Sequence, residues 1–262
     1  MISKIQTKYL KSLSKKKFRE QNNELVIEGP RIISEAIKHS ANIQKFFISE
    51  EYLNNNKNSS LIDNLKKNSI SIIECKQMEI NRICDSKTPQ GICALIKYTQ
   101  PSLKIDINKI LDENIIILDN INNPGNLGTI IRTAAWFGYH HLFLTDGCVD
   151  PYNPKVMRAG MGGHFLLNNI VKGNGEEFLS TLKNNNYKIL AADLNGKNIN
   201  QYNNLPKKWA LVLSNEAEGL TRDVYKYIDI PLFIPGAKRL DSLNVAEAGS
   251  ILMNYLYTNT LV

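Results

Sequence analysis

No CxxC pair occurs anywhere in this 262-residue chain. Cys75, Cys84, Cys93 and Cys148 stand far apart, which excludes a zinc ribbon and a dithiol redox motif and fits free thiols in a reducing compartment. His39, His140, His141 and His164 lack metal-ligand spacing, so no metal is expected. The His140-His141 pair reads as the entry to a strand. No apolar run approaches the length of a membrane span and no secretory signal is visible. The expectation is a cytoplasmic protein with no membrane partner, an organellar address being left open. A GxGxxG fingerprint is missing too, because Gly160–Gly163 reads GMGG. Acid is absent from Met1–Arg19, a stretch that holds Lys4, Lys8, Lys11, Lys15, Lys16, Lys17 and Arg19.

The chain does have an apolar fraction of 43%, enough for a real core. Its 32 Lys+Arg against 25 Asp+Glu leave a charge of +7. That excess favours an anionic partner, with nucleic acid ahead of a membrane surface. The basic first stretch has three readings. A solvated helix face ranks first on charge alone, phosphate contact second, and an organelle presequence third, because Lys outnumbers Arg and no cleavage site is clear.

Periodicity divides the chain in two. Ser3–Lys17 predicts an amphipathic helix. Strands are expected at Leu25–Glu28, Lys45–Ser49, Ile70–Glu74 and Gly91–Lys97, with helices at Arg31–His39, Leu61–Asn68 and Met78–Cys84 and a polar loop at Asn54–Ser60. This alternation describes a small α/β domain, 1–98. Residues 99–113, with Pro101 and several charges, form the best linker. The remainder, 114–262, is more regular. Strands are expected at Asn114–Leu118, His141–Leu144, Tyr187–Ala191 and Trp209–Leu213. Helices are expected at Leu127–Phe137, Asn153–Ala159, Phe178–Asn184 and Leu243–Tyr257. Such an order implies a mainly parallel sheet covered on both faces, which gathers ligands at the carboxyl ends of its strands.

Three polar, Gly-containing clusters fall at or after such ends. In NNPGNLGTIIR, Asn122–Arg132, Pro124-Gly125 makes a turn and Asn126 is placed to cap the next helix. Arg132, six residues on, can hold a phosphate through two parallel bonds. In SNEAEGL, Ser214–Leu220, Gly219 permits a tight turn, and Ser214, Asn215 and Glu216 follow the strand. In DSLNVAEAG, Asp241–Gly249, Ser242 and Asn244 alternate with Leu243 and Val245, so the apolar pair can pack inward while the polar pair faces a cleft. Each cluster alone fits an ordinary capped helix or strand-to-helix loop. Asp241 or Ser242 would suffice as the last helix cap.

Taken in order, NPGNLGTIIR, LVLSNEAEGL and IPGAKRLDSLNVAEAGSIL resemble the three motifs of the SpoU (TrmH) family of RNA 2′-O-methyltransferases. The match runs from Asn114 to about Tyr257. ELVIEGPRIISEAI and TPQGICALI resemble weaker signatures of the family's substrate-binding extension. The resemblance implies a SPOUT α/β fold, whose chain end threads a deep trefoil knot, preceded by an L30e-like RNA-binding domain. It also implies S-adenosylmethionine as cofactor, a homodimer with the site near the interface, and structured RNA as substrate, ribosomal ahead of transfer RNA. Carried over by motif, Asn126, Arg132, Glu216, Ser242 and Asn244 fall on catalytic or motif positions. Leu213, Ser214, Asn215, Gly219, Ile234 and Leu243 would border the cofactor. Ser214 stands where the family usually has Gly, and Glu247 where a small or apolar residue is usual. The Ile230–Ser242 stretch looks longer than common, so Ile230 competes with Ile234 for one contact. A non-catalytic RNA-binding protein on the same fold is the rival reading.

Overall fold

A computed structural model of the chain describes residues 2–67, 70–102, 110, 113–202, 205–237 and 242–260. Contacts divide it into two units. The first comprises Met1–Gln100 with Asp150–Phe165, and the second Pro101–Val149 with Leu166–Val262. Residues 150–165, expected within the second domain, therefore pack with the first. Most of the expected linker, 103–109 and 111–112, lies outside the described residues.

The basic first stretch forms α1 (Lys4–Ser12) and α2 (Lys16–Asn22), separated by a turn, rather than one helix. The Ser3 hydroxyl caps α1 by accepting from the Gln6 amide at 3.1 Å. Leu10 and Leu13 are fully buried. Arg19 is also buried, and its Nη1 donates to the carbonyls of Leu13 (2.9 Å) and Ser14 (2.8 Å) while Nη2 pairs with Asp150. This arginine holds the turn after α1 and is not available to a ligand. The sheet of the unit has the order β1 (Glu24–Glu28), β4 (Ile92–Lys97), β2 (Ile43–Ser49), β3 (Ser71–Cys75). β4 runs antiparallel to β1 and β2, and β3 parallel to β2. Side chains alternate along β2, so Phe46 and Ile48 enter one core with Leu25, Ile27 and Ile33, while Phe47 enters the other with Leu10, Leu13, Cys75 and Cys93. Helices α3 (Pro30–Lys38), α4 (Glu50–Leu53), α5 (Ser59–Lys67) and α6 (Gln77–Ile83) cover it, with α8 (Pro154–Gly160) contributing Met157 to the first core. The expected polar loop is thus partly helical, since a 3-10 turn at Asn56–Asn58 leads into α5.

The second unit carries a six-stranded sheet in the order β10 (Ile230–Phe233), β8 (Lys188–Asn198), β9 (Trp209–Ser214), β5 (Ile115–Asp119), β6 (His141–Thr145), β7 (Asn169–Gly173). Every pairing is parallel. β5 and β6 are buried throughout, as their unbroken apolar runs require of a sheet covered on both faces. α7 (Pro124–Trp136) and α11 (Val245–Thr260) pack against each other, and α9 (Gly175–Asn184) and α10 (Arg222–Tyr225) complete the unit. From β5 the chain moves outward to β6 and β7. From β9 the next strand, β10, lies on the other side. β5 and β9 are neighbours, with Asp119 in register with Ser214. The order of strands therefore reverses between them, and in an open parallel sheet the crevice at the carboxyl ends of such a pair is where a ligand fits.

All four cysteines are free and buried. No helix among the described residues is long and apolar enough to cross a membrane.

Candidate active site

The first cluster leaves β5 and enters α7 three residues earlier than expected. Asn123, not Asn126, is the cap. Its Oδ1 accepts from the amides of Gly125 (2.8 Å) and Asn126 (3.3 Å), and Pro124 takes the first helical position. Asn126, the third residue of the helix, is thereby freed for a tertiary role. Its Nδ2 donates to Glu216 Oε1 at 2.9 Å, and its Oδ1 accepts from Asn244 Nδ2 at 3.0 Å. Glu216 Oε1 also accepts from the backbone amide of Val245 at 2.8 Å. One residue from each cluster thus joins a single chain of hydrogen bonds.

Each member is fixed by its own local structure. Asn244, rather than Asp241 or Ser242, caps α11, with Oδ1 accepting from the Ala246 amide at 2.9 Å; Asp241 lies outside the described residues. The Glu216 carboxylate sits at the start of α11, where anionic charge meets unpaired amides and the positive end of the helix dipole. Glu247, exposed in the same first turn, is favoured for the same reason. Gly219 has φ +69° and closes the turn after β9, its amide donating to Asn215 O at 2.9 Å. A Cβ there would meet nothing within 4 Å, so the glycine is required by its backbone angle rather than by crowding. Buried Asp119 ties the end of β5 to the end of β6 and to the segment after β9. It accepts from the Thr221 amide at 2.8 Å and from the Thr145 hydroxyl at 3.2 Å.

Beside this relay lies a cavity of about 370 Å³. Leu194, Leu220, Leu232, Phe233, Ile234 and Leu243 supply its apolar wall, and Asp193, Asn195, Ser214, Asn215, Glu216 and Ser242 its polar groups. Of the residues expected at a cofactor site, Ser214, Asn215, Gly219, Ile234 and Leu243 line it. Leu213 does not; it is fully buried behind the wall. Ile234 lines the cavity and Ile230 does not. Leu243 is 41% exposed, so the expectation that it packs inward with Val245 fails; the loop before α11 turns it toward the cavity instead. Sequence reading missed Asp193, Leu194 and Asn195, which belong to a polar extension of β8, and Tyr225 on the short α10. None sits in a periodic apolar pattern; Asp193, Leu194 and Asn195 fall where the β8–β10 register jumps from Ala191 to Lys197.

Arg132 is exposed on α7, outside both the relay and the cavity, and its guanidinium has no hydrogen bond or ion pair among the described residues. Trp136, one turn further along, is 84% exposed.

Two family models match the chain. Residues 113–254 match the SpoU rRNA Methylase family, and residues 4–94 match an MRM3-like substrate binding domain. The chain is 28% identical to the 23S rRNA (guanosine(2553)-2'-O)-methyltransferase RlmP of Bacillus subtilis, over 94% of this chain and 93% of that one. It is 40% identical to the human mitochondrial rRNA methyltransferase 3 over 58% of this chain, and spans only 37% of that longer protein. Among solved structures, a putative RNA methyltransferase of the TrmH family from Porphyromonas gingivalis aligns with a TM-score of 0.80 and 26% identity, covering 97% of this chain and 98% of that one.

Proposed function

The chain belongs to the SpoU rRNA Methylase family, and from that premise we propose that it transfers a methyl group from S-adenosylmethionine to a ribose 2′-oxygen of ribosomal RNA. The observation that carries the reading is the Asn126–Glu216–Asn244 relay, which locks three separately encoded loops beside a ligand-sized cavity. The cavity falls within the range of small-molecule sites, and its mix of apolar wall and a few convergent polar groups suits an adenine ring with an amino-acid head. Asp193 and Glu216 add carboxylates that complement a cationic ligand. Ser214 is among the residues that line the cavity. The bound cofactor supplies an activated methyl on a sulfonium, so the protein has only to position the acceptor and manage its proton.

Ser214, Asn215, Ile234 and Leu243 would hold the cofactor, whose sulfonium would supply the methyl carbon to the 2′-oxygen, with the thioether as leaving group and the hydroxyl proton passing to bulk water. The unpaired Arg132 guanidinium serves as the group that grips the adjoining phosphate and stabilises negative charge on the attacking oxygen. A guanidinium stays protonated at any working pH, so it is not the base. Asn126 and Asn244 orient the ribose and hold the loop that carries Ser242. That residue's hydroxyl makes no hydrogen bond among the described residues and is free to meet substrate.

Ribosomal RNA is preferred to transfer RNA because the Bacillus relative, matched over nearly its whole length, is named for 23S rRNA. Exposed Trp136 on α7, with Ile251 (40% exposed) and Tyr257 (41% exposed) on α11, supports a second copy of the chain covering this face, next to Arg132. The return of the chain to β10 and then α11, after β9 has closed the centre of the sheet, supports a knotted chain end. Two measurements test the function. Calorimetry must show S-adenosylmethionine binding, and mapping of 2′-O-methyl sites in total RNA with and without the gene must show a ribosomal site that disappears. No binding at millimolar cofactor would leave the rival RNA-binding reading.

A further inference from the structure

Helix α1 places Lys4, Lys8 and Lys11 on one face, four and three residues apart, opposite buried Leu10 and Leu13. α6 packs against α1 and brings Arg82 to the same side. Between the two helices lies a cleft of about 330 Å³ lined by Ile2, Lys4, Thr7, Lys8, Lys11, Glu79 and Arg82. Its one acid is already used. Glu79 accepts from the backbone amides of Ile2 (3.2 Å) and Lys76 (2.8 Å), and the Lys76 bond leads the interactions that hold its carboxyl below the ordinary range. Lys11 is anchored by donating to the Cys84 carbonyl at 2.9 Å. Lys4, Lys8 and Arg82 have no acidic partner among the described residues. Three unpaired cations around a groove repel one another, and a solvated face would gain from interleaved acids. A polyanion removes that repulsion.

We propose that the α1–α6 cleft grips the RNA sugar–phosphate backbone, with Lys4, Lys8 and Arg82 each neutralising a phosphate. The proposal rests on the reading of the chain as an RNA enzyme and assigns part of the substrate's footprint to a surface remote in sequence from the methyl-transfer motifs. The contacts carry no base information. They fix register on a folded RNA and make binding salt-dependent.

The test uses the full chain and a fluorescein-labelled structured RNA transcript, without cofactor. Affinity is measured across a range of salt for the parent and for Lys4→Gln/Lys8→Gln/Arg82→Gln. Glutamine keeps helix propensity near that of lysine and arginine, so α1 and α6 remain formed, and circular dichroism checks this. Each lost phosphate contact lowers the slope of log Kd against log salt by about 0.7–0.9. The triple variant is expected to lose about 2–3 in slope and to bind about 10-fold or more weakly near 0.1 M salt. A control of equal charge change on the same unit, Lys45→Gln/Lys57→Gln/Lys66→Gln, is expected to change the slope by less than about 1. An unchanged slope in the first variant, or equal changes in both, overturns the proposal. So does loss of binding to phosphatidylserine vesicles with RNA binding intact, which would assign the cleft to a membrane surface. Because no methylation is read, a chain that failed to bind S-adenosylmethionine would sink the enzymatic reading and leave this result standing.

Discussion

Asn126→Asp is the sharpest probe of the relay, because it preserves shape and replaces an amide donor by an anion. The Nδ2 of Asn126 lies 2.9 Å from Glu216 Oε1. The variant sets two carboxylates at that separation. Their repulsion is about 1.4 kcal/mol in a water-like medium and several-fold more at the lower effective dielectric of a protein surface. Glu216 is exposed and Asn126 half-buried, so about 1.5–3 kcal/mol is the working range. Loss of the hydrogen bond adds about 1 kcal/mol. A displacement of the Glu216 loop by that much predicts a fall in kcat/KM of about 100-fold, with a spread of about tenfold either way. Glu216→Gln alone keeps an acceptor for Val245 and costs only about 1 kcal/mol, a few-fold in rate. Combining the two should restore part of the activity, since the second change removes one of the two charges; both native bonds end on the single oxygen Glu216 Oε1, so an amide at 216 that turns to donate to the carboxylate at 126 gives up the Val245 amide. The assay is steady-state transfer of labelled methyl from S-adenosylmethionine to a ribosomal RNA transcript. A double variant about tenfold better than Asn126→Asp is expected. If the two losses simply multiply, the side chains do not communicate and the relay is an accident of packing.

Arg132→Lys keeps a cation but not the planar fork, so kcat should fall about 10- to 100-fold with the shape of the pH–rate profile unchanged; a new limb titrating with the lysine would show that this position acts as a base. Gly196→Ala drives a Cβ to 2.6 Å from the Pro231 carbonyl carbon and oxygen, where β8 and β10 shift register. It should cost several kcal/mol, about 2–4, in urea unfolding and abolish cofactor binding together with it; a variant of unchanged stability would mean that the two strands do not approach so closely. His164 is buried as a neutral ring, its Nε2 donating to the Pro151 carbonyl at 2.9 Å, and burial pushes its pKa down to about 4 from the usual 6.5. The unfolded chain takes up this proton first, so folding stability is full above about pH 6.5 and falls by up to about 3 kcal/mol as the pH drops toward 4. Urea titrations at stepped pH should show that His164→Gln flattens this fall, and parallel curves for the two proteins would count against it.

The sheet of the second unit was legible because parallel strands covered on both faces are written as short unbroken apolar runs, IIILD and WALVLS being the clearest. β7 and β10 were not, because NIVKG mixes polar residues and IPLF carries Pro231, tolerable only on the sheet edge where it lies. The start of α7 was misplaced since Asn123 and Asn126 are equally good caps by residue type; the preference of proline for the first helical position decides between them. The family motifs located Asn126, Glu216 and Asn244, but their mutual hydrogen bonds join residues about 90 to 118 positions apart and could not be read from any local pattern. The part of the cavity wall made by Asp193, Leu194 and Asn195 was hidden for the same reason.

The stretch Asp150–Phe165 interrupts the second unit's sequence yet completes the first unit's interior. Met157 enters the core, Tyr152 and Phe165 seal its rim, Arg158 clasps Asp85 at 3.0 Å, and Asp150 neutralises Arg19. No single cut in the gene therefore releases the leading domain intact. A fragment ending at Gln100 would carry an uncapped hydrophobic opening and a stranded guanidinium, and should precipitate on expression. Recombination that swaps the leading unit between relatives would have to exchange two noncontiguous pieces at once, which ties the history of the first unit to that of the second.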